Sequence, residues 1–313
     1  MSSVAVSSRP SYRPYCAEVR AVRRLSPSFV RVTFGCDDFA HFGRSGLDQR
    51  IKILLPLPDG TISDVGQRDE DAIATGAWYE RWREVPTSER SPLRTYTVRR
   101  ADPDSCEIDV DFVVHHDAGP AGEWASRVRA GQQLVIVGPD ERSEQSHLGL
   151  DFHPGTARRL LLAGDETAVP AISGILEALG DDYEVDAFLE VPTALDALPL
   201  EVPASHRVHW ISRDDAAHGQ RLIEALAGWC TASADVLTRA AAPRPQPLAD
   251  VDVDRELIWD SPADAEGEFY AWFAGEAATI KTLRRMLVTT GGVDRKRVAF
   301  MGYWRLGQAE RQA

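Results

Sequence analysis

Lysine is nearly missing from this 313-residue chain: only Lys52, Lys281 and Lys296 occur, so arginine supplies almost all of the 35 basic residues. Against them stand 48 acidic residues, for a formal net charge of −13. That balance argues against a nucleic-acid backbone or an anionic membrane as partner, since both need a basic footprint. An anionic ligand must therefore meet a local basic patch. The four cysteines, Cys16, Cys36, Cys106 and Cys230, include no C-x-x-C pair to start a zinc or iron–sulfur site, so they read as reduced, mostly buried thiols. No apolar run approaches the roughly 18 residues needed to span a bilayer, and Met1 to Arg9 lack the apolar core of a signal peptide. A monomeric, cytoplasmic protein is expected. Also missing are a G-x-G-x-x-G fingerprint and a hydrolase nucleophile motif. His115-His116-Asp117 makes a poor metal site, because adjacent strand residues face opposite ways.

What is present is enough chain for two domains of ordinary globular composition, 43% hydrophobic and 27% charged. From Ala17 to about Val137 the apolar segments are short and strand-like: Glu18 to Leu25, Phe29 to Phe34, Arg50 to Leu55, Thr95 to Val98, Ile108 to Val114 and Leu134 to Val137. This spacing predicts a small antiparallel β-barrel. Two segments interrupt it: Ala77 to Glu84, an aromatic cluster read as packing, and Ala121 to Arg129, with helical periodicity. From Arg158 onward strands and helices alternate: Leu160 to Ala163, Val169 to Leu179, Val185 to Leu189, Val208 to Ile211, Arg221 to Trp229, Phe269 to Ala274, Ala277 to Val288 and Val298 to Tyr303. Alternation of this kind predicts an α/β domain with a parallel sheet. The expected domains are residues 1–150 and 151–313, with the boundary zone near 140 to 157.

Arg94-Thr95-Tyr96-Thr97-Val98-Arg99-Arg100 carries guanidinium groups, a flat phenol ring and hydroxyls on one extended segment. Alternate residues share a face, so Arg94, Tyr96 and Val98 point one way and Thr95, Thr97 and Arg99 the other. The ring could stack on an isoalloxazine, Arg94 could fork onto a phosphate, and Thr97 could reach the polar edge of a flavin. An arginine-rich, half-exposed strand fits the same residues. After the strand that ends at Val114, Gly119-Pro120-Ala121 can turn into a helix whose first N–H groups suit an anion. Gly164-Asp165-Glu166-Thr167 ends a buried strand with a capping cluster, where open α/β sheets hold ligands.

These blocks together resemble the siderophore-interacting protein family of flavin-dependent ferric-siderophore reductases, within the ferredoxin–NADP reductase type. The resemblance is carried by Arg94-Thr95-Tyr96-Thr97-Val98-Arg99, by His115-His116-Asp117-Ala118-Gly119-Pro120-Ala121-Gly122-Glu123-Trp124-Ala125, by Ala163-Gly164-Asp165-Glu166-Thr167-Ala168-Val169-Pro170-Ala171, by Ala274-Gly275-Glu276 and by Gly302-Tyr303-Trp304-Arg305. It implies an N-terminal FAD-binding barrel followed by an NAD(P)H-binding domain. Arg94, Tyr96, Thr97 and Arg99 would hold FAD, with Val114, His115, Gly119, Pro120, Ala121, Trp124 and Ala125 around its pyrophosphate and ring. Asp165 and Thr167 would face flavin and nicotinamide, and Tyr303 or Trp304 would approach the isoalloxazine from the chain end. Gly275 and Glu276 would line the nicotinamide pocket. Ser212 and Arg213 resemble the pair that related reductases use on the 2′-phosphate of NADPH, so NADPH is expected over NADH, although Asp214-Asp215 oppose a phosphate.

For the ferric siderophore the family carries a basic triad. Lys52 matches its first member on the Arg50 to Pro56 segment. The second commonly follows a Gly-Pro; here Gly138-Pro139 is followed by Asp140, and Arg142 is the nearest base. That departure points to a less anionic chelate, such as a hydroxamate or mixed type. Arg305 is the suggestion for the third. The implied reaction passes a hydride from NAD(P)H to FAD and single electrons to chelated Fe(III), releasing Fe(II), with no side chain as acid, base or metal ligand. Ferredoxin is a further donor within the family. The alternatives are an NAD(P)H:flavin or ferredoxin-coupled oxidoreductase of the same fold, and a non-catalytic flavin- or siderophore-binding module.

Overall fold

Every second residue of the early strands is apolar, and in the computed structural model those residues meet in one core. It describes residues 9–43, 46–114, 119–248, 258–263 and 265–308. By internal contacts the chain divides into two units, Met1–Leu25 with Phe29–Leu150, and Ser26–Ser28 with Asp151–Ala313.

The first unit holds β1 (Tyr12–Arg24), β2 (Phe29–Gly35), β3 (Arg50–Leu54), α1 (Glu70–Thr75), α2 (Trp78–Glu84), β4 (Leu93–Thr97), β5 (Arg100–Asp102), β6 (Glu107–Val113), α3 (Pro120–Ala125) and β7 (Gln133–Pro139). Tyr15, Ala17 and Val19 of β1, Val30, Val32 and Phe34 of β2, and Ile108, Val110 and Phe112 of β6 are buried together, the period of two expected for strands with one face inward. The seven strands form one antiparallel sheet in the order β4-β3-β7-β1-β2-β6-β5. β4 and β5 are its two ends, so the expected small antiparallel barrel takes the form of a half-barrel sheet. The aromatic cluster of α2 is packing: Trp82 is fully buried against Leu54, Val65 and Val135, and its indole donates to the Ser91 carbonyl at 2.9 Å.

The second unit holds β8 (Arg159–Gly164), α4 (Val169–Ala178), β9 (Glu184–Val191), β10 (His206–Ser212), α5 (Gln220–Ala232), α6 (Ala234–Ala240), β11 (Trp259–Asp260), β12 (Phe269–Glu276), α7 (Ala277–Arg284) and β13 (Val298–Trp304). β8 and β12 are buried along nearly their whole length, as strands covered on both faces must be. The sheet order is β10-β9-β8-β12-β13-β11. All pairings are parallel except β11 on β13, so the expected parallel sheet carries one antiparallel edge strand and is mixed. Asp196 accepts from the Ser26 and Ser28 hydroxyls at 2.7 and 3.1 Å, which explains why Ser26–Ser28 segregates with this unit. The cysteines are free, as expected, but all four are half-buried rather than buried. Among the described residues no helix is long and apolar enough to cross a membrane, and no cluster of His, Cys, Asp and Glu is arranged for a metal.

Candidate functional site

In the first unit the candidate residues collect on β4 and its neighbours. β4 is an end strand paired on one side to β3, in a register that sets Lys52 opposite Thr95, Ile51 opposite Tyr96 and Arg50 opposite Thr97. Arg94, Thr95 and Tyr96 are half-buried, whereas Thr97 is buried. The Tyr96 ring packs on Phe112 with centroids 4.5 Å apart, so the phenol is partly built into the core. Arg94 donates to the Leu93 carbonyl at 2.9 Å. Arg99, beyond the strand, lies 3.9 Å from Asp111, which is also gripped by Arg31 at 2.7 and 2.8 Å.

Val114 ends the run into the core, and His115 lies outside the described residues. Gly119 is extended and leads directly into Pro120, the first residue of α3, where its missing N–H costs nothing. Gly119 and Pro120 are exposed, while Ala121 and Ala125 are buried. A Cβ added at Gly119 would meet nothing within 4 Å, so the backbone at the head of α3 is open to close approach. Trp124 lies on the core side, its ring parallel to Phe34 at 6.3 Å and tilted against Phe112 at 5.4 Å. An end strand carrying a half-buried guanidinium, hydroxyl and phenol, with an open glycine turn in the same unit, fits a flavin dinucleotide.

The two basic candidates of this unit are already engaged. Lys52 Nζ donates to Thr95 Oγ1 at 2.6 Å, on the β3–β4 ladder itself. Arg142 forks onto the buried Asp140 through Nε and Nη2 at 2.8 and 2.7 Å. Burial alone would raise Asp140, but the hydrogen bonds and charge of Arg142, with Arg9, outweigh it and hold the carboxyl below its ordinary value. The Asp140 that departs from the family pattern is thus the anchor of the neighbouring base.

In the second unit Asp165, Thr167, Glu276 and Trp304 come together around one carboxylate. Asp165 Oδ1 accepts from Thr167 N and Oγ1 at 2.9 and 2.5 Å. Its Oδ2 accepts from the Glu276 amide at 2.7 Å and from Trp304 Nε1 at 2.8 Å. Burial, and then the charge of Glu166, push Asp165 up to about 7, against the pull of the Thr167 and Trp304 hydrogen bonds. Gly275 has φ +149°, and a Cβ there would lie 2.6 Å from Asp165 Oδ2, so only glycine fits. The Glu276 side chain caps α7, accepting from Thr279 N at 2.9 Å. The Trp304 ring meets the edge of His218 at 5.0 Å, while Tyr303 stacks parallel to Trp259 at 5.9 Å and stands edge-on to Trp272. Arg305 follows β13 directly and bridges to Gln308, its carbonyl accepting from Gln308 N at 3.2 Å.

Ser212 ends β10 and Arg213 follows it directly, but their side chains part. Arg213 turns inward, 8% exposed, and forks onto Glu166 with both N···O distances 2.9 Å; Glu190 Oε1 lies 3.4 Å away. Burial alone would lower Arg213, but the hydrogen bonds and charge of Glu166, then Glu190, raise it above the ordinary guanidinium value. Ser212 Oγ donates outward to Asp214 at 3.0 Å. Glu166 and Glu190 were given no role by sequence reasoning. Glu190 did leave a signal, a carboxylate inside the apolar stretch Ala187 to Val191 of β9, which a buried strand tolerates only with partners.

Two domains built this way define the class: the fold is ferredoxin-reductase-like, as the ferredoxin reductase of carbazole 1,9a-dioxygenase shows at TM-score 0.58 with 16% identity, over 94% of this chain and 70% of that one. Within that class residues 18–143 match the siderophore-interacting FAD-binding domain and residues 157–307 match the siderophore-interacting protein domain, so the chain belongs to the siderophore-interacting protein family. A siderophore utilization protein from T. fusca superposes with TM-score 0.69 at 28% identity, covering 96% of both chains. An uncharacterized protein of Mycobacterium tuberculosis is 33% identical, over 94% of this chain and 90% of its own. The ferric vibriobactin reductase ViuB of Vibrio cholerae is 27% identical, over 91% of this chain and 87% of its own.

Proposed function

We propose that this protein is an FAD-dependent ferric-siderophore reductase that takes a hydride from a nicotinamide dinucleotide and delivers single electrons to chelated Fe(III). The observation that carries this reading is the near full-length similarity to a ferric vibriobactin reductase, spanning both the FAD-binding domain and the domain after it.

FAD, when bound, supplies the conversion from a two-electron donor to a one-electron acceptor. The chain's own residues bind and orient. Arg94 provides a cation for the pyrophosphate, Tyr96 presents its half-buried ring to the isoalloxazine, and Thr97 with the strand backbone meets its polar edge. The open turn at Gly119 and Pro120, before the buried Ala121, lets a phosphate approach the main chain, with Trp124 and Ala125 as packing behind it. In the second unit, the Asp165 carboxylate fixes the Glu276 amide and Trp304 at the carboxyl ends of β8, β12 and β13, where an α/β sheet holds a nucleotide. Lys52 is the base that would meet the chelate, supported by its half-buried position opposite Thr95. Arg142 and Arg305 are the weaker members of that set. Iron is the substrate. Fe(III) suits an oxygen-rich chelate and Fe(II) binds it far less well, so reduction itself releases the metal.

The test is anaerobic reduction by NADH or NADPH, followed at the flavin band, with a panel of ferric chelates and an Fe(II)-trapping dye. Fe(II) should appear faster than in a free-FAD control. A rate no greater than that control would rule the reductase reading out.

A further inference from the structure

We infer that the donor pocket at the end of β10 accepts a dinucleotide with an unmodified adenosine ribose, NADH in preference to NADPH; this rests on the hydride-donor reading above. Two features of the second unit could in principle neutralise a 2′-phosphate: a guanidinium at the strand end and the N-terminus of α5. Both are already filled by carboxylates of the protein itself.

Arg213 is directed into the interior, where Glu166 takes it in a two-pronged pair at 2.9 Å and Glu190 flanks it at 3.4 Å. Both glutamates are completely buried. Swinging Arg213 outward would take the guanidinium away from two buried carboxylates, a cost no surface phosphate contact offsets. The Glu190 carboxylate also accepts from the Gly219 and Leu222 amides, at 2.8 and 3.1 Å. Those amides open α5, so the helix end that would attract an anion already holds one.

What this strand end offers to solvent is two aspartates and one arginine that is tied to the first of them. Asp214, with φ +47°, accepts from Ser212 Oγ at 3.0 Å and from Arg221 Nη1 at 2.9 Å, and Arg221 also donates to the Ser212 carbonyl at 2.6 Å. Asp214 remains about half exposed, and Asp215 follows it. A carboxylate at the end of a sheet strand is the acceptor that a ribose diol needs, and it repels a phosphate dianion at the same position. Arg221, half-exposed and tied to Asp214, only balances that carboxylate.

The test is equilibrium binding to the full-length, FAD-loaded protein by calorimetry, with the non-reducing tetrahydro analogues of NADH and NADPH as probes. The NADH analogue should bind at least about tenfold tighter, the size expected of one like-charge contact near the surface. Asp214→Ser, checked for folding by circular dichroism, should narrow that ratio by about as much, chiefly by strengthening the NADPH analogue. Equal or tighter binding of the NADPH analogue by the unaltered protein overturns the inference and leaves the hydride-donor reading standing. A folded Asp214→Ser protein with an unchanged ratio also overturns it. Failure of both analogues to bind removes the hydride-donor reading along with it.

Discussion

Trp304 Nε1 donates to Asp165 Oδ2 at 2.8 Å, so the end of β13 is fastened to the turn after β8 across the intervening β12. One buried carboxylate thereby joins three of the sequence blocks that carry the family resemblance. Its charge, burial and neighbours make the stability of the second unit sensitive to pH.

Asp165 is held up at about 7, against an ordinary value of 3.8, chiefly by burial and then by the charge of Glu166. The folded state therefore binds an extra proton between those two values, and stability falls as pH rises from the lower to the upper one. The loss should be on the order of 3 kcal/mol across that window. Urea unfolding between pH 4.5 and 7.5 checks it. Asp165→Asn should flatten the slope even though the amide cannot accept from all four donors; a slope retained in full would show that another group titrates.

Gly275→Ala should destabilise the protein by ~1–3 kcal/mol or more, because positive φ and a close Cβ act together. The added carbon would sit 2.6 Å from Asp165 Oδ2, and the carboxylate cannot yield without losing the Glu276 and Trp304 donors. Chemical denaturation should show a lower midpoint with an unchanged slope. A midpoint equal to that of the unaltered chain would contradict the close approach.

Arg94→Ala should weaken FAD by roughly tenfold to a hundredfold, the value of a charge-assisted phosphate contact. The ratio of flavin to protein absorbance after gel filtration reads this directly. Full flavin retention would mean that the phosphate is held elsewhere.

Lys52→Ala should raise the KM for a ferric chelate by about threefold to tenfold while leaving flavin content intact. Its ammonium group bonds Thr95 across the ladder, on the strand adjoining Arg94 and Tyr96. Steady-state Fe(II) release against chelate concentration separates the two effects. Flavin lost from this variant would assign Lys52 to the cofactor instead.

Local pattern by itself determined the strands and helices that carry the site. Tyr15, Ala17 and Val19 alternate with polar neighbours, so their shared buried face is written in period two, and the unbroken Leu160-Leu161-Leu162-Ala163 can only be a strand covered on both sides. The short blocks around Arg94, Gly119, Asp165, Gly275 and Trp304 were legible too, since each joins a strand end to residue types with definite chemistry. Partner choice was not. Whether Arg213 faces solvent or Glu166 is decided by contacts 47 residues apart in sequence, and whether Asp165 meets Trp304 by contacts 139 apart. The open ends of the half-barrel and the antiparallel β11 likewise depend on which strands come to lie side by side. The sequence thus determined which chemical groups exist and on which elements they ride. Only tertiary structure decided which charges neutralise one another, because a buried charge takes the direction of whichever opposite charge packing brings within reach.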